Sequence, residues 1–175
     1  AMEAVNCVRR LTGQDKVVCI LGPNASGQAI TISSILEEMT VPDIATVATN
    51  PKVTVVDGKT KPFNFRVCFI DPYQGAVAAG FAFDVLGFRK AAVLYDVADD
   101  YSQGLTEFVI KTFTEKGGTV VAKEAFKFGD KTFPSAFDQY PEMTKHLPLE
   151  QQIGFAIRRD APEPVKAKLR EAFAV

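Results

Sequence analysis

The chain has 175 residues, 47% of them hydrophobic and 23% charged, which excludes a disordered chain and allows a substantial core in one domain or in two small lobes. Twenty Lys and Arg against 21 Asp and Glu leave a formal net charge of -1, so no basic excess draws in a phosphate backbone and nucleic acid is not an expected partner. No apolar run approaches the ~18 residues of a membrane span, and no charged n-region followed by an apolar stretch marks a signal peptide in this chain.

Residues 3–12 have helical spacing, with Val5, Val8 and Leu11 on one side, Arg9 and Arg10 near the end, and Gly13 as the stop. The apolar run 17–21, bounded by Asp15-Lys16 and Gly22-Pro23, predicts a strand covered on both faces. Residues 26–39 predict a helix with Ile30, Ile35 and Met39 on its apolar side and Glu37 and Glu38 outward, ending before Pro42. Strands follow at 44–49 and 63–70, separated by a loop or hairpin over 51–62 that carries Asp57-Gly58. Residues 75–88 are nearly all apolar and predict a helix buried on most of its surface, leading into a strand at 91–95. An amphipathic helix over 101–116 turns Leu105, Phe108, Val109, Thr112 and Phe113 inward and closes at Gly117-Gly118, before a strand at 119–126. The rhythm breaks over 127–149, the expected boundary, and resumes with a strand at 153–157 and a helix from 161 whose first turn holds Pro162 and Pro164.

Strands alternating with helices predict an α/β fold, a mostly parallel sheet flanked by helices in a flavodoxin-like architecture with right-handed crossovers. Three cysteines, Cys7, Cys19 and Cys68, form no C-x-x-C pair, and two of them fall in apolar strand-like runs; they are expected to be buried small hydrophobes. The single histidine, His146, cannot build a histidine zinc cluster, although a carboxylate metal site is not excluded by that count. No cofactor is expected.

Ligands of open α/β sheets bind beyond the carboxyl ends of the strands, so the turns there are where chemistry is sought. The first, Gly22 to Gln28, enters a helix whose leading N–H groups suit a carboxylate or phosphate, with Ser26 either adding a hydroxyl or serving only as the cap. Gln28 stands where a P-loop needs Lys, and the dinucleotide glycine pattern is absent. The second turn, Ala45 to Pro51, has small side chains and the Thr49 hydroxyl, which also fits ordinary turn chemistry. In the third, Asp71 to Gly75, Asp71 reads as the next helix's cap. The fourth, Asp96 to Gly104, lacks EF-hand spacing, so its acids read as caps, while Tyr101 offers an aromatic wall with one hydroxyl. No nucleophile–base set emerges, because His146 lies in no G-x-S-x-G context. The chain is therefore not expected to be an enzyme.

Taken together, Gly22-Pro23-Asn24-Ala25-Ser26-Gly27, Val41-Pro42, Ala48-Thr49-Asn50-Pro51-Lys52-Val53-Thr54, Phe65-Arg66-Val67, Asp71-Pro72-Tyr73-Gln74-Gly75 and Asp96-Val97-Ala98-Asp99-Asp100-Tyr101-Ser102-Gln103-Gly104-Leu105 resemble the type I periplasmic solute-binding proteins, in the branch of leucine/isoleucine/valine receptors of ABC transporters. The resemblance spans about residues 3–130. It implies that Ser26 and Gly27, the Val47 backbone and Thr49 hold the carboxylate and amino group of a small polar ligand such as an amino acid. It further implies that Tyr101 closes over that ligand from a second lobe, and that Asp71, Gln74 and Gly75 form the hinge. A membrane permease as partner and a periplasmic location are implied with it.

In that family a strand, helix and strand precede the segment matched here, and later crossings complete the second lobe. The tail, in Tyr140-Pro141-Glu142-Met143 and Gly154 to Leu169, resembles the C-terminal region of the tripartite tricarboxylate receptors instead. The chain therefore reads as a single α/β unit over 1–175 or an incomplete two-lobe receptor, alternatively divided at 1–72, 73–130 and 131–175. Its expected function is amino-acid or carboxylate binding; the alternative is a trimmed or engineered α/β unit of receptor segments that folds without binding. Uncovered sheet edges offer such a chain a route to self-association.

Overall fold

The computed structural model describes residues 2–130; the strand expected at 153–157, the helix expected from 161 and His146 lie outside them. Two parallel sheets and a small hairpin make up the β structure. Helix α1 (Met2–Gly13) buries Val5, Val8 and Thr12, a spacing of three then four that lies on one helical face. That face packs on Ile32 and Leu36 of α2 (Ser26–Met39), with Ile20 and Val41 at its margin.

The fully buried stripe of α2 is Ser26, Ala29, Ile32, Ser33 and Leu36, with the expected Ile30 and Ile35 partly buried at its flanks. Small Ala29 and Ser33 permit close approach, Met39 is exposed, and Glu37 is only half outward.

Strands β1 (Ile20–Leu21), β2 (Asp43–Ala45) and β5 (Asn64–Arg66) form a parallel sheet in the order β1-β2-β5, with Ile20 opposite Asp43 and Asp43 opposite Asn64. All three are shorter than their apolar runs predict, because a strand lasts only as long as its neighbour pairs with it. Between β2 and β5 lie a 3-10 turn (Pro51–Val53) and the antiparallel hairpin β3 (Val55–Val56) and β4 (Lys59–Thr60). Asp57 and Gly58 occupy its turn with positive φ.

The expectation that the first strand is covered on both faces does not hold. Leu21, Ile44 and Phe65 stand in one row of the ladder and share the face opposite α1 and α2; Leu21 is 76% and Phe65 50% exposed, and Val18 before β1 is 86% exposed. The cysteines share this correction. Cys7 and Cys19 are exposed and Cys68 half-buried, all three as free thiols. One lies on the outward side of α1, and Cys19 lies beside the uncovered stretch before β1.

Helix α3 (Asp71–Gly80), extended by a π-helical turn (Phe81–Val85), leads to β6 (Lys90–Asp96), which pairs in parallel with β7 (Thr119–Phe126) across α4 (Asp100–Glu115). The apolar helix is not buried on most of its surface. Only the i, i+4, i+8 stripe Asp71, Gly75 and Ala79 is fully buried in α3, while Val77 is 52% exposed. That stripe exists for contact with α4: a Cβ on Gly75 would lie 2.6 Å from the Phe108 Cβ and 2.9 Å from the Phe108 carbonyl carbon. On α4, Leu105 and Phe113 are buried as the amphipathic pattern predicts. Gly75→Val is expected to force the two helices apart and cost about 1–3 kcal/mol, read as a lower denaturant midpoint with α4 and β7 amides losing hydrogen-exchange protection.

Candidate ligand site

The amino ends of α2, α3 and α4 and the turn after β2 meet at one place. Ser26 is the first residue of α2, but it is not the cap. Ala25 holds that position with no side-chain hydrogen bond. The buried Ser26 Oγ instead accepts the Asn50 N–H at 3.3 Å, joining the first turn to the second. A second link runs from the Thr46 hydroxyl to Asn24 Oδ1 at 2.6 Å. Gly27 faces α4, where a Cβ would stand 2.8 Å from Asp100 Oδ2. Val47 lies on the bend after β2 with its side chain more than half exposed.

Thr49 is buried, and its carbonyl accepts the Asp71 N–H at 3.0 Å. Turn chemistry falls to its neighbour: Asn50 Oδ1 accepts the Lys52 N–H at 2.9 Å. Asn50 also donates from Nδ2 to the Asp100 carbonyl at 2.8 Å, linking the turn to α4. Arg66, emerging from β5, clamps the same turn from the other side. It donates to the carbonyls of Ala48 at 3.1 Å, Asn50 at 2.9 Å and Pro51 at 3.3 Å, and to Thr54 Oγ1 at 2.9 Å. Asn50 and Arg66 were not singled out by the sequence reading. The available signal was a polar residue before Pro51 and a lone cation in an apolar strand.

Asp71, Gln74 and Gly75 lie in the first turns of α3, not in a loop between β5 and the helix. Asp71 is not the cap either, since Ile70 occupies that position. Its carboxyl is 0% exposed, and Oδ2 would sit 2.9 Å from a Cβ on Gly104, which explains why α4 has a glycine there. Gln74 Nε2 donates to the Tyr101 hydroxyl at 3.1 Å. Gly75 belongs to the α3–α4 contact rather than to this cluster.

Buried oxygens of Thr49, Asp71 and Gln74, namely Oγ1, both carboxyl oxygens and Oε1, have no hydrogen-bond partner of normal geometry among the described residues. The Thr49 hydroxyl is near enough to Asp71 to favour its ionised form, but burial dominates and pushes the carboxyl above its usual range. Burial likewise raises Tyr101, keeping it a neutral phenol with its own proton free to donate.

The remaining acids are structural. Asp99 Oδ2 accepts the Ser102 N–H at 2.9 Å as the α4 cap, and Asp96 Oδ1 accepts the Ala98 N–H at 2.8 Å. Among the described residues no group of three or more His, Cys, Asp or Glu gathers closely enough to hold a metal ion, and no helix is long and apolar enough to cross a membrane.

A family model for periplasmic binding proteins matches residues 1–141. The chain belongs to the periplasmic binding protein family. Its α/β fold is that of the type I members, which are solute-binding receptors of ABC transporters rather than an enzyme class, and which work in the periplasm or outside the cell. An amino acid binding protein of Pseudomonas aeruginosa is 33% identical over 131 residues, covering 75% of this chain and 34% of the relative. The crystal structure of a leucine binding protein from Thermotoga maritima superposes with a TM-score of 0.73 at 41% identity, over 80% of this chain and 39% of that one. A branched-chain amino acid transporter substrate binding protein from Streptococcus pneumoniae, in complex with isoleucine, gives 0.70 at 27% identity, over 80% and 38%. The chain thus spans about a third of the length of the curated relatives it matches.

Because burial raises the folded Asp71 pKa above its unfolded value of 3.8, its cost to stability is absent below about pH 3.8 and grows as pH rises through the folded pKa. Asp71→Asn is therefore expected to melt higher than the parent at neutral pH, with the difference closing in acid, in thermal melts from pH 3 to 8. A difference that does not change with pH would refute the assignment.

Proposed function

We propose that this chain carries the amino-acid-binding segments of an ABC-transporter receptor, with Ser26, Gly27, Val47, Thr49 and Tyr101 contacting the ligand. The observation that carries the reading is the pairing of two opposite chemistries in one cluster. Helix α2 begins with no side-chain cap and no acidic residue in its own first turn; its leading N–H groups and positive dipole end suit a carboxylate, and the Asp100 carboxylate of α4 already lies against Gly27 there. In the same cluster, buried oxygens of Thr49, Asp71 and Gln74 without a hydrogen-bond partner among the described residues make an acceptor-rich layer behind the site, which favours a cationic ammonium group. An amino acid has both, and the relatives named above are amino-acid or leucine binders.

On this reading Tyr101 reaches the ligand from the β6–β7 side, and the first turns of α3, with Asp71, Gln74 and Gly75, act as the hinge. The parent receptor is periplasmic, delivers its ligand unchanged to a membrane permease, and has a first lobe built on β1-β2-β5 and a second on β6-β7. Calorimetry and thermal melts with L-leucine, L-isoleucine, L-valine and small organic carboxylates provide the test. The melting point is expected to rise with ligand concentration, the stabilisation reaching about 2.7 kcal/mol at a hundredfold excess over Kd. Ser26→Ala and Thr49→Ala are expected to weaken binding by tenfold or more. A flat response across the panel would favour the alternative, receptor segments that fold without binding.

The exposed Leu21 and Phe65, flanking a half-buried Ile44, and the edges of β1 and β5, unpaired among the described residues, also favour self-association. Light scattering is expected to show a concentration-dependent dimer; a strict monomer throughout the concentration series would count against it.

A further inference from the structure

Lys61, immediately after β4, is only 8% exposed, and lysines are almost never so buried without a partner. Its N–H donates to the Thr54 carbonyl at 2.8 Å, which folds the hairpin back onto the turn before it. Its ammonium donates to Ser33 Oγ of α2 at 2.7 Å and to the Lys52 carbonyl at 2.8 Å. Asp43 of β2 and Glu37 of α2 attract it, and Asn64 Nδ2 donates to the Asp43 carboxylate beside it.

The Lys52 carbonyl belongs to the residue whose own N–H donates to Asn50 Oδ1. Lys61 is thus two hydrogen bonds from the side chain that ties the turn to α4, and one residue further from Thr49. Arg66 holds the carbonyls of Ala48, Asn50 and Pro51 on the same turn, so the turn lies between two cations, Lys61 buried and Arg66 half-buried. From this juxtaposition we infer that Lys61 is a positioning residue for ligand binding: anchored on Ser33, it fixes the Pro51–Val53 turn and through it the placement of Asn50 and Thr49. The inference rests on the receptor reading for the word ligand, and on the hydrogen bonds alone for the word positioning.

The test uses the 175-residue chain with Lys61→Met, which keeps the stem and removes the charge. Lys61→Arg retains a cation, and Lys59→Met changes the exposed neighbour on β4. Hydrogen exchange is expected to accelerate at least tenfold at the amides of Asn50, Lys52, Val53 and Thr54 in Lys61→Met, with the amides of Leu36 and Phe113 unchanged, and with partial recovery in Lys61→Arg. An equal loss at all six amides, or none at the turn, overturns the proposal.

L-leucine affinity is expected to fall tenfold or more in Lys61→Met and to stay unchanged in Lys59→Met. Burial lowers the Lys61 pKa below that of an ordinary lysine, against the pull of Glu37 and Asp43. Parent affinity is therefore expected to decline more steeply above neutral pH than that of Lys61→Met, in which the ligand's own titration is the same; parallel profiles count against the proposal. If the parent does not bind leucine, the receptor reading fails while the exchange data alone decide the role of Lys61. Where Lys61→Met does not fold, Ser33→Ala removes one acceptor of the ammonium, and a smaller acceleration confined to the turn is expected; its absence overturns the inference.

Discussion

Asn50 is the residue on which the described structure depends. Its N–H reaches α2 through Ser26, its side-chain oxygen shapes the Pro51–Val53 turn, its side-chain nitrogen reaches α4 at Asp100, and its carbonyl receives Arg66. Each of its polar groups is satisfied, and each partner belongs to a different element. A buried amide used in this way specifies one arrangement, since shifting any partner leaves an unpaired group at a cost of about 1–3 kcal/mol. The site is assembled by these polar contacts over a small apolar cluster of Ala29, Ala45, Ala48 and Val53, and further apolar packing lies behind it, in α1 against α2 and in α3 against α4.

The chain distributes its burial unevenly. A parallel sheet is ordinarily covered on both faces, yet helices α1 and α2 cover one face of β1-β2-β5 and leave Leu21 and Phe65 open on the other. The β6–β7 unit has α4 as its helical partner, and α3 packs on α4. This one-sidedness matches a chain that spans about a third of its relatives' length: the residues retain a pattern suited to a two-sided sheet.

Much of the fold was legible because periodicity survives in long elements. The limits of α4 and β7 follow from the i, i+8 spacing of Leu105 and Phe113 on one helical face and from the glycines Gly117 and Gly118. The short strands were not legible, because Val17 and Val18 or Val67 and Phe69 look like sheet residues and only the absence of a paired neighbour ends the ladder. Helix starts misled in a specific way. Ser26 and Asp71 are typical caps in composition, but each stands one residue inside its helix with its side chain turned toward another segment. Asn50, Arg66 and Lys61 carried little signal, since isolated polar residues in loops and short strands are normally solvated. Their role appears only when distant carbonyls converge on them.

The close passage of α3 along α4 at Gly75 and Gly104 has a mechanical meaning. At Gly75 the α3 backbone lies against the Phe108 Cβ and backbone of α4, and at Gly104 the α4 backbone lies against the side chains of Asn50 and Asp71, so neither position has room for a side chain of its own. In front of that contact lies the seam with the turn after β2. Two hydrogen bonds mark this seam, Asn50 Nδ2 to the Asp100 carbonyl and the Asp71 N–H to the Thr49 carbonyl. Each is worth about 1 kcal/mol net, so the seam is a light fastening between closely packed helices and the turn after β2.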